Sequence, residues 1–327
     1  MERPSEPLHI ARSAFLLTLL LLTMLGAKYL LSPSGYGAIS PGPVLDVSRL
    51  ASGKGVEPRG VTYGKFLLLT VSITPINHWE MVADMFPGGH SNTVRYQKGA
   101  PNGLVQLDGS TTNAAVAASN LVPAAATDVK VVGLRVTGVT AGGASDVGLR
   151  ADDVLETVDG HPVGDVSALS TVLAGRRSVA VTVLRDAKRL GFNIKTGDGT
   201  LGLRVVPQIS GAFPVTFEAV TISGASGGLA FALATIDALG SGDLTGGRVV
   251  AVSGSISPNG NVGAVTGLAE KAISATSAGA TVLLAPIGSA GSVRTGIEVV
   301  EVSNLSDAVN WLCANGATDS VCGAAFK

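Results

Sequence analysis

Histidine, cysteine, aromatic side chains and charge are all scarce in this chain of 327 residues. The four histidines are His9, His78, His90 and His161, so none falls in the last half of the sequence. A Ser-His-Asp triad there would need a base borrowed from another region. The two cysteines, Cys313 and Cys322, have no histidine near them and cannot make a four-ligand zinc site, so no metal is expected. Charged residues are 14% of the chain, against about 25% in ordinary soluble proteins, and the net charge is −1. That balance gives no electrostatic basis for nucleic acid as a partner. Gly53-Lys54 is followed by glycine, with Ser48 where a Walker A loop needs its first glycine, so no ATP site is expected. No other cofactor is implied.

What is abundant is glycine, 43 residues of it, and small apolar side chains. The densest cluster is Ser223-Gly224-Ala225-Ser226-Gly227-Gly228, followed by eleven residues dominated by good helix formers, Leu229 to Leu239. This reads as a tight turn opening a buried helix. A serine at that place is either an ordinary Gly/Ser cap or a nucleophile set among unpaired backbone N–H groups at the positive end of the helix dipole. Between Thr196 and Phe326 there is a single lysine, Lys271, with Leu268 and Ala275 on its own helix column. A Ser-Lys pair is therefore available locally, and the alternative is a solvated surface lysine beside Glu270.

The length allows two or three modest domains. Residues 1–12 are polar and carry Arg3 and Arg12; the apolar run Ala14–Ala27 follows, then Lys28 and Tyr29. The expectation is a transmembrane anchor over residues 13–31, a cytoplasmic tail before it and everything after Ser32 outside a cell membrane crossed once. A signal-peptide core is the alternative, but no Ala-x-Ala site follows. Residues 32–124 read as an uncharged stalk, Ser32–Pro43, and an N-terminal segment. This contains a strand at Lys65–Thr74, short helices at Pro75–Phe86 and Thr111–Leu121, and no evident chemistry.

Residues 126–196 change character. A strand with a glycine break, Val129 to Val136, precedes the alternating run Gly148–Val163, which turns at Asp159-Gly160. This region resembles a PDZ domain. The resemblance implies that an apolar chain end adds as a strand beside Gly133, Leu134, Arg135 and Val136. A β-rich spacer that binds nothing is the other reading.

Residues 197–315 form one further domain, with a tail at 316–327. Gly-Ala-Ser-Gly-Gly before an apolar helix resembles the Gly-Pro-Ser-Ala-Gly of Lon-type proteases. Val252-Ser253-Gly254-Ser255-Ile256, a hairpin signal at Pro258-Asn259-Gly260, and Gly267-Leu268-Ala269-Glu270-Lys271 resemble further segments of that family in order and spacing. Together with Pro41-Gly42-Pro43, the layout resembles the bacterial membrane-anchored PDZ–Lon-type proteases over roughly residues 35–315. Ala225, Gly227 and Ser223 depart from the family's usual proline, alanine and acidic residue. The implied fold class is α+β: a transmembrane helix, a small PDZ domain and a Lon-like proteolytic domain. The implied activity is an ATP-independent serine endopeptidase acting on exported or membrane-associated polypeptides. Ser226 would be its nucleophile, Lys271 its base and Ser253 a supporting residue, with Gly224, Ala225 and Gly227 shaping the oxyanion turn. Lon-like domains often form rings, so a homo-oligomer is a possible partner by analogy alone. A catalytically inactive PDZ-type scaffold and a small-molecule enzyme on a similar framework compete with this reading. If the C-terminus is outside, in an oxidising compartment, Cys313 and Cys322 are expected to pair as a disulfide.

Overall fold

The computed structural model describes residues 6–53, 64–83, 93–95, 102–122, 129–140, 147–197, 199–211, 215–217 and 224–325. His90, Ser223 and the second half of the strand expected at Val215–Thr221 lie outside them. Two compact units divide the chain, residues 1–40 with 71–100 and residues 41–70 with 101–327.

In the smaller unit α1 (Glu6–Leu30) runs into the first half of β1 (Pro33–Asp46). The chain passes through β2 (Ala51–Gly53) in the larger unit, and β3 (Lys65–Asn77) returns it to α2 (His78–Ala83) and β4 (Thr93–Arg95). β1 and β4 pair antiparallel, Tyr36 opposite Arg95. The Tyr29 ring stacks on His78 with centroids 4.4 Å apart, and His78 Nδ1 lies 3.0 Å from Ser32 O, so this histidine serves local structure. Pro75 belongs to β3, and the helix expected from it begins only at His78.

Among the described residues no helix is long and apolar enough to cross a membrane. This corrects the expected anchor at residues 13–31 and, with it, the single-pass membrane location. The apolar run Ala14–Ala27, with Thr18 and Thr23 in it, is fourteen residues, about 21 Å of helix at 1.5 Å per residue. A hydrocarbon core is about 30 Å thick, and Lys28 stands in the helix's last turn.

In the larger unit α3 (Asn102–Leu121) leads into an antiparallel sheet. Its strands are β5 (Lys130–Val139), β6 (Val154–Val158), β7 (His161–Pro162), β8 (Ser178–Arg185), β9 (Lys188–Lys195) and β10 (Leu203–Ser210), with α4 (Val166–Leu173) between β7 and β8. The order is β10-β5-β6-β8-β9, with β7 on β6. One face closes over Leu134, Val136, Leu155, Val181, Val183 and Ile194. Asp153, fully buried, is held by Arg185 Nε at 2.6 Å, and Arg185 also donates to Gly148 O. That pairing is why a buried carboxylate is tolerated within the Gly148–Val163 run, just before β6.

The rest is β11 (Val215–Phe217), α5 (Gly228–Leu239), β12 (Val249–Val252), β13 (Ser255–Ile256), β14 (Val262–Gly263), α6 (Leu268–Ser277), β15 (Val282–Pro286), β16 (Glu298–Val302), α7 (Leu305–Ala314) and α8 (Ser320–Ala325). β12 pairs parallel with β3 on one side and β15 on the other, and β15 pairs parallel with β16. Strand alternation sends Phe66, Leu68, Val250, Val252 and Leu284 to one face, against α5, and Leu69, Ala251, Leu283 and Ala285 to the other, against α6. The result is a mixed α/β structure, with helices on both faces of the parallel strands β3, β12, β15 and β16, in place of the expected α+β class with a transmembrane helix. Parallel strands buried on both faces read as continuous apolar runs, as Phe66–Leu69 and Val282–Ala285 do. β3 and α3, from the region read as a preceding segment, therefore supply core to the C-terminal half, and β2 pairs with β11. A Cys313–Cys322 disulfide ties α7 to α8.

Candidate active site

Ser226 lies in a single 3₁₀ turn, Ala225–Gly227, that opens α5. Gly224, at φ +112°, bends the chain into the turn through backbone space that side-chain residues rarely enter. At Gly228 a Cβ would stand 2.9 Å from Ile256 N, so only glycine lets the turn pack against β13. The helix it opens is buried from Gly228 through Asp237, a core helix apolar but for Thr235 and Asp237.

The other two residues reach the same point from the sheet. β12 ends at Val252, and Ser253 follows it, its N–H donating to Leu284 O at 3.0 Å. Gly254 N donates to Ser226 O at 2.9 Å, and Leu229 N donates to Gly254 O at 3.0 Å, which staples the serine turn to the strand end. α6, on the opposite face, projects Lys271 around that end. Lys271 Nζ lies 2.8 Å from Ser226 Oγ and 3.0 Å from Ser253 Oγ. The three meet beyond the carboxyl end of a parallel strand, where open α/β sheets place their ligand sites.

Lys271 is only 2% exposed, and no ion pair with it is present among the described residues. Burial lowers its pKa from 10.5 to about 8. A useful fraction of the amine is then neutral near pH 7–8, able to accept a proton from a hydroxyl 2.8 Å away. Ser253 is fully buried, whereas Ser226 is partly open. Ser226 stands in the first turn of the element that opens α5, at the positive end of the helix dipole. Ser110 Oγ, on α3, donates to Ala225 O at 3.2 Å, a support for the turn that sequence reading did not single out. No side-chain cluster suited to a metal occurs among the described residues.

Gly133, Leu134, Arg135 and Val136 lie in β5, on a different sheet. The edge at which a chain end was expected to add is already taken: β10 pairs antiparallel with β5, with Gln208, Pro207, Val206 and Val205 opposite Gly133, Leu134, Arg135 and Val136. β6 occupies the other side, Leu155 opposite Leu134.

No protein-family model matches the chain, and no curated protein matches it. Among solved structures, the PDZ domain of an SdrC-like protein from Listeria monocytogenes is similar at 19% identity and a TM-score of 0.22, over 24% of this chain and 90% of that one. This is a weak structural likeness to a PDZ domain.

Proposed function

We propose that the protein is a serine endopeptidase of Lon type that needs no cofactor, with Ser226 as nucleophile, Lys271 as general base and Ser253 as the residue that holds the amine in place. The observation that carries this reading is the position of one buried lysine amine 2.8 Å from Ser226 Oγ and 3.0 Å from Ser253 Oγ. Neutral Lys271 takes the Ser226 proton as Oγ bonds to the substrate carbonyl carbon. The carbonyl oxygen becomes an oxyanion, which backbone N–H groups around Ser226 stabilise. The ammonium then returns its proton to the leaving amine as the C–N bond breaks, giving an acyl-serine and a free amino terminus. Water, deprotonated by the same amine, releases the carboxylate product and restores the serine.

The substrate class proposed is polypeptide. The test is treatment of the protein with a fluorophosphonate, which traps a serine nucleophile, together with cleavage of reduced, carboxymethylated casein. Labelling at Ser226 and cleavage, both lost in Ser226→Ala, are expected. Absence of both in the wild type returns the chain to the inactive-scaffold reading.

A further inference from the structure

We propose that the outer edge of β10 is the docking strand for this site: an unfolded polypeptide adds to it as a further β-strand and is led along it to Ser226. What happens to that polypeptide next rests on the peptidase reading above, whereas the docking itself does not.

β10 is the terminal strand of its sheet, so among the described residues one of its edges is paired with β5 and the other carries no strand. Five consecutive residues of it, Leu203 to Pro207, line a cleft of about 340 Å³. Side chains alternate between the two faces of a strand, so an unbroken series can border one cleft only by presenting the main-chain edge to it. The polarity of that edge follows from two groups. Arg204 O accepts from Thr137 Oγ1 of β5, which sets the Arg204 carbonyl toward the paired side. Pro207 has no N–H to give a ladder and fits where the amide position faces outward. By alternation Val205 then directs both its N–H and its carbonyl into the cleft, and these are the groups an added strand bonds.

The cleft borders the serine turn: Ala225, the residue before Ser226, lines it together with Ile256 of β13. Both residues also border a space of about 690 Å³, so the two spaces adjoin beside the serine turn. Its walls are mainly apolar, with Val166 of α4 54% exposed on the rim. The occupant that fits is an extended segment with apolar side chains at alternate positions and its own main chain unpaired. A folded domain, whose strands are already paired, does not meet that description. The chain's own β10 has thus taken the place on β5 that a client end would fill, and moved the accepting edge one strand toward the nucleophile.

The test uses the full-length Ser226→Ala protein, which leaves β10 intact, mixed with reduced, carboxymethylated casein. Amide hydrogen exchange across residues 203–207 is expected to slow severalfold on addition of casein. Unchanged exchange there overturns the proposal, whether or not the wild type cleaves casein. Protection over 203–207 in a protein whose Ser226 takes no fluorophosphonate supports strand docking and sinks the nucleophile reading. In the cleavage assay Val205→Pro removes the outward N–H without touching the β5 ladder, and KM for casein should rise about tenfold, the worth of one hydrogen bond at the upper end. A folded Val205→Pro protein with the wild-type KM overturns the proposal. Should that variant fail to fold, the exchange measurement on Ser226→Ala decides alone.

Discussion

Ser253 Oγ lies 3.0 Å from Lys271 Nζ at the end of β12, aimed there by the bond from its own N–H to Leu284 O. A lysine amine has three rotatable positions around its terminal bond, and a four-carbon stem gives it wide reach. The fixed hydroxyl selects, from that range, the placement that also puts Nζ beside Ser226. In this reading Ser253 positions the base and never touches the substrate. Ser253→Ala should therefore lower kcat by about tenfold or more while KM changes little, an effect smaller than the complete loss expected for Ser226→Ala. Steady-state kinetics on casein checks the split. An equal rise in KM would mark Ser253 as a substrate contact instead.

Lys271→Arg keeps the positive charge and much of the length but cannot deprotonate at accessible pH. Casein cleavage should disappear, and circular dichroism should show whether the fold survives the wider guanidinium. Substantial activity in a folded Lys271→Arg protein would require another base, and no histidine occurs after His161 to supply one.

The amine must be neutral to act, and burial sets its pKa at about 8. The rate should therefore climb with pH through that value and level off above it. A profile of kcat/KM against pH reads the ionisation in the free enzyme. A midpoint near the ordinary lysine value of about 10.4 would mean that the amine is solvated in the working protein.

The parts of the site that are legible in the sequence are local or solitary. Ser226 announces itself through the small residues on both sides and the helix that follows, and Lys271 through being the single lysine in the C-terminal domain. Ser253 needed a family resemblance, since a strand serine carries no signal of its own. What the sequence hides is pairing between distant strands. Phe66–Leu69 reads as a strand, but nothing local says that it lies parallel to Val249–Val252 rather than in a hairpin. In the same way Gly133–Val136 reads as an open edge until Val205–Gln208 is seen opposite it. Composition misled at the N-terminus, where Ala14–Ala27 has the character of a membrane segment without its length.

The Cys313–Cys322 disulfide joins α7 to α8 across nine positions, and the last helix has only six residues to hold it in place. Closing so short a loop contributes at most about 3 kcal/mol in the chain-entropy model. Cys313→Ser with Cys322→Ser should lower the thermal midpoint by several degrees. Since α8 packs on the main core through Val321, the loss should appear in global unfolding rather than as local fraying. Differential scanning calorimetry distinguishes the two, and an unchanged midpoint would show that α8 contributes nothing to the cooperative unit.

Lys271 also makes a prediction about stability that is opposite in sign to its effect on activity. Its folded pKa, about 8, lies below the 10.5 of the exposed side chain. At neutral pH the unfolded chain therefore holds the proton more tightly than the native protein does, and burial of the amine opposes folding. The difference corresponds to about 3 kcal/mol, present in full below pH 8 and relieved as pH rises from 8 to about 10.5. Lys271→Met fills similar volume, needs no proton and suits a buried position. It should be inactive yet more stable than the wild type at pH 6.5 by up to about 3 kcal/mol, less what Ser226 and Ser253 lose as hydrogen-bond partners. The gap should close as the pH approaches 10. Denaturant unfolding of both proteins at the two pH values measures it directly. A Lys271→Met protein less stable at pH 6.5, with no convergence at high pH, would mean that the ammonium is well accommodated in the fold and that its burial does not poise it as a base.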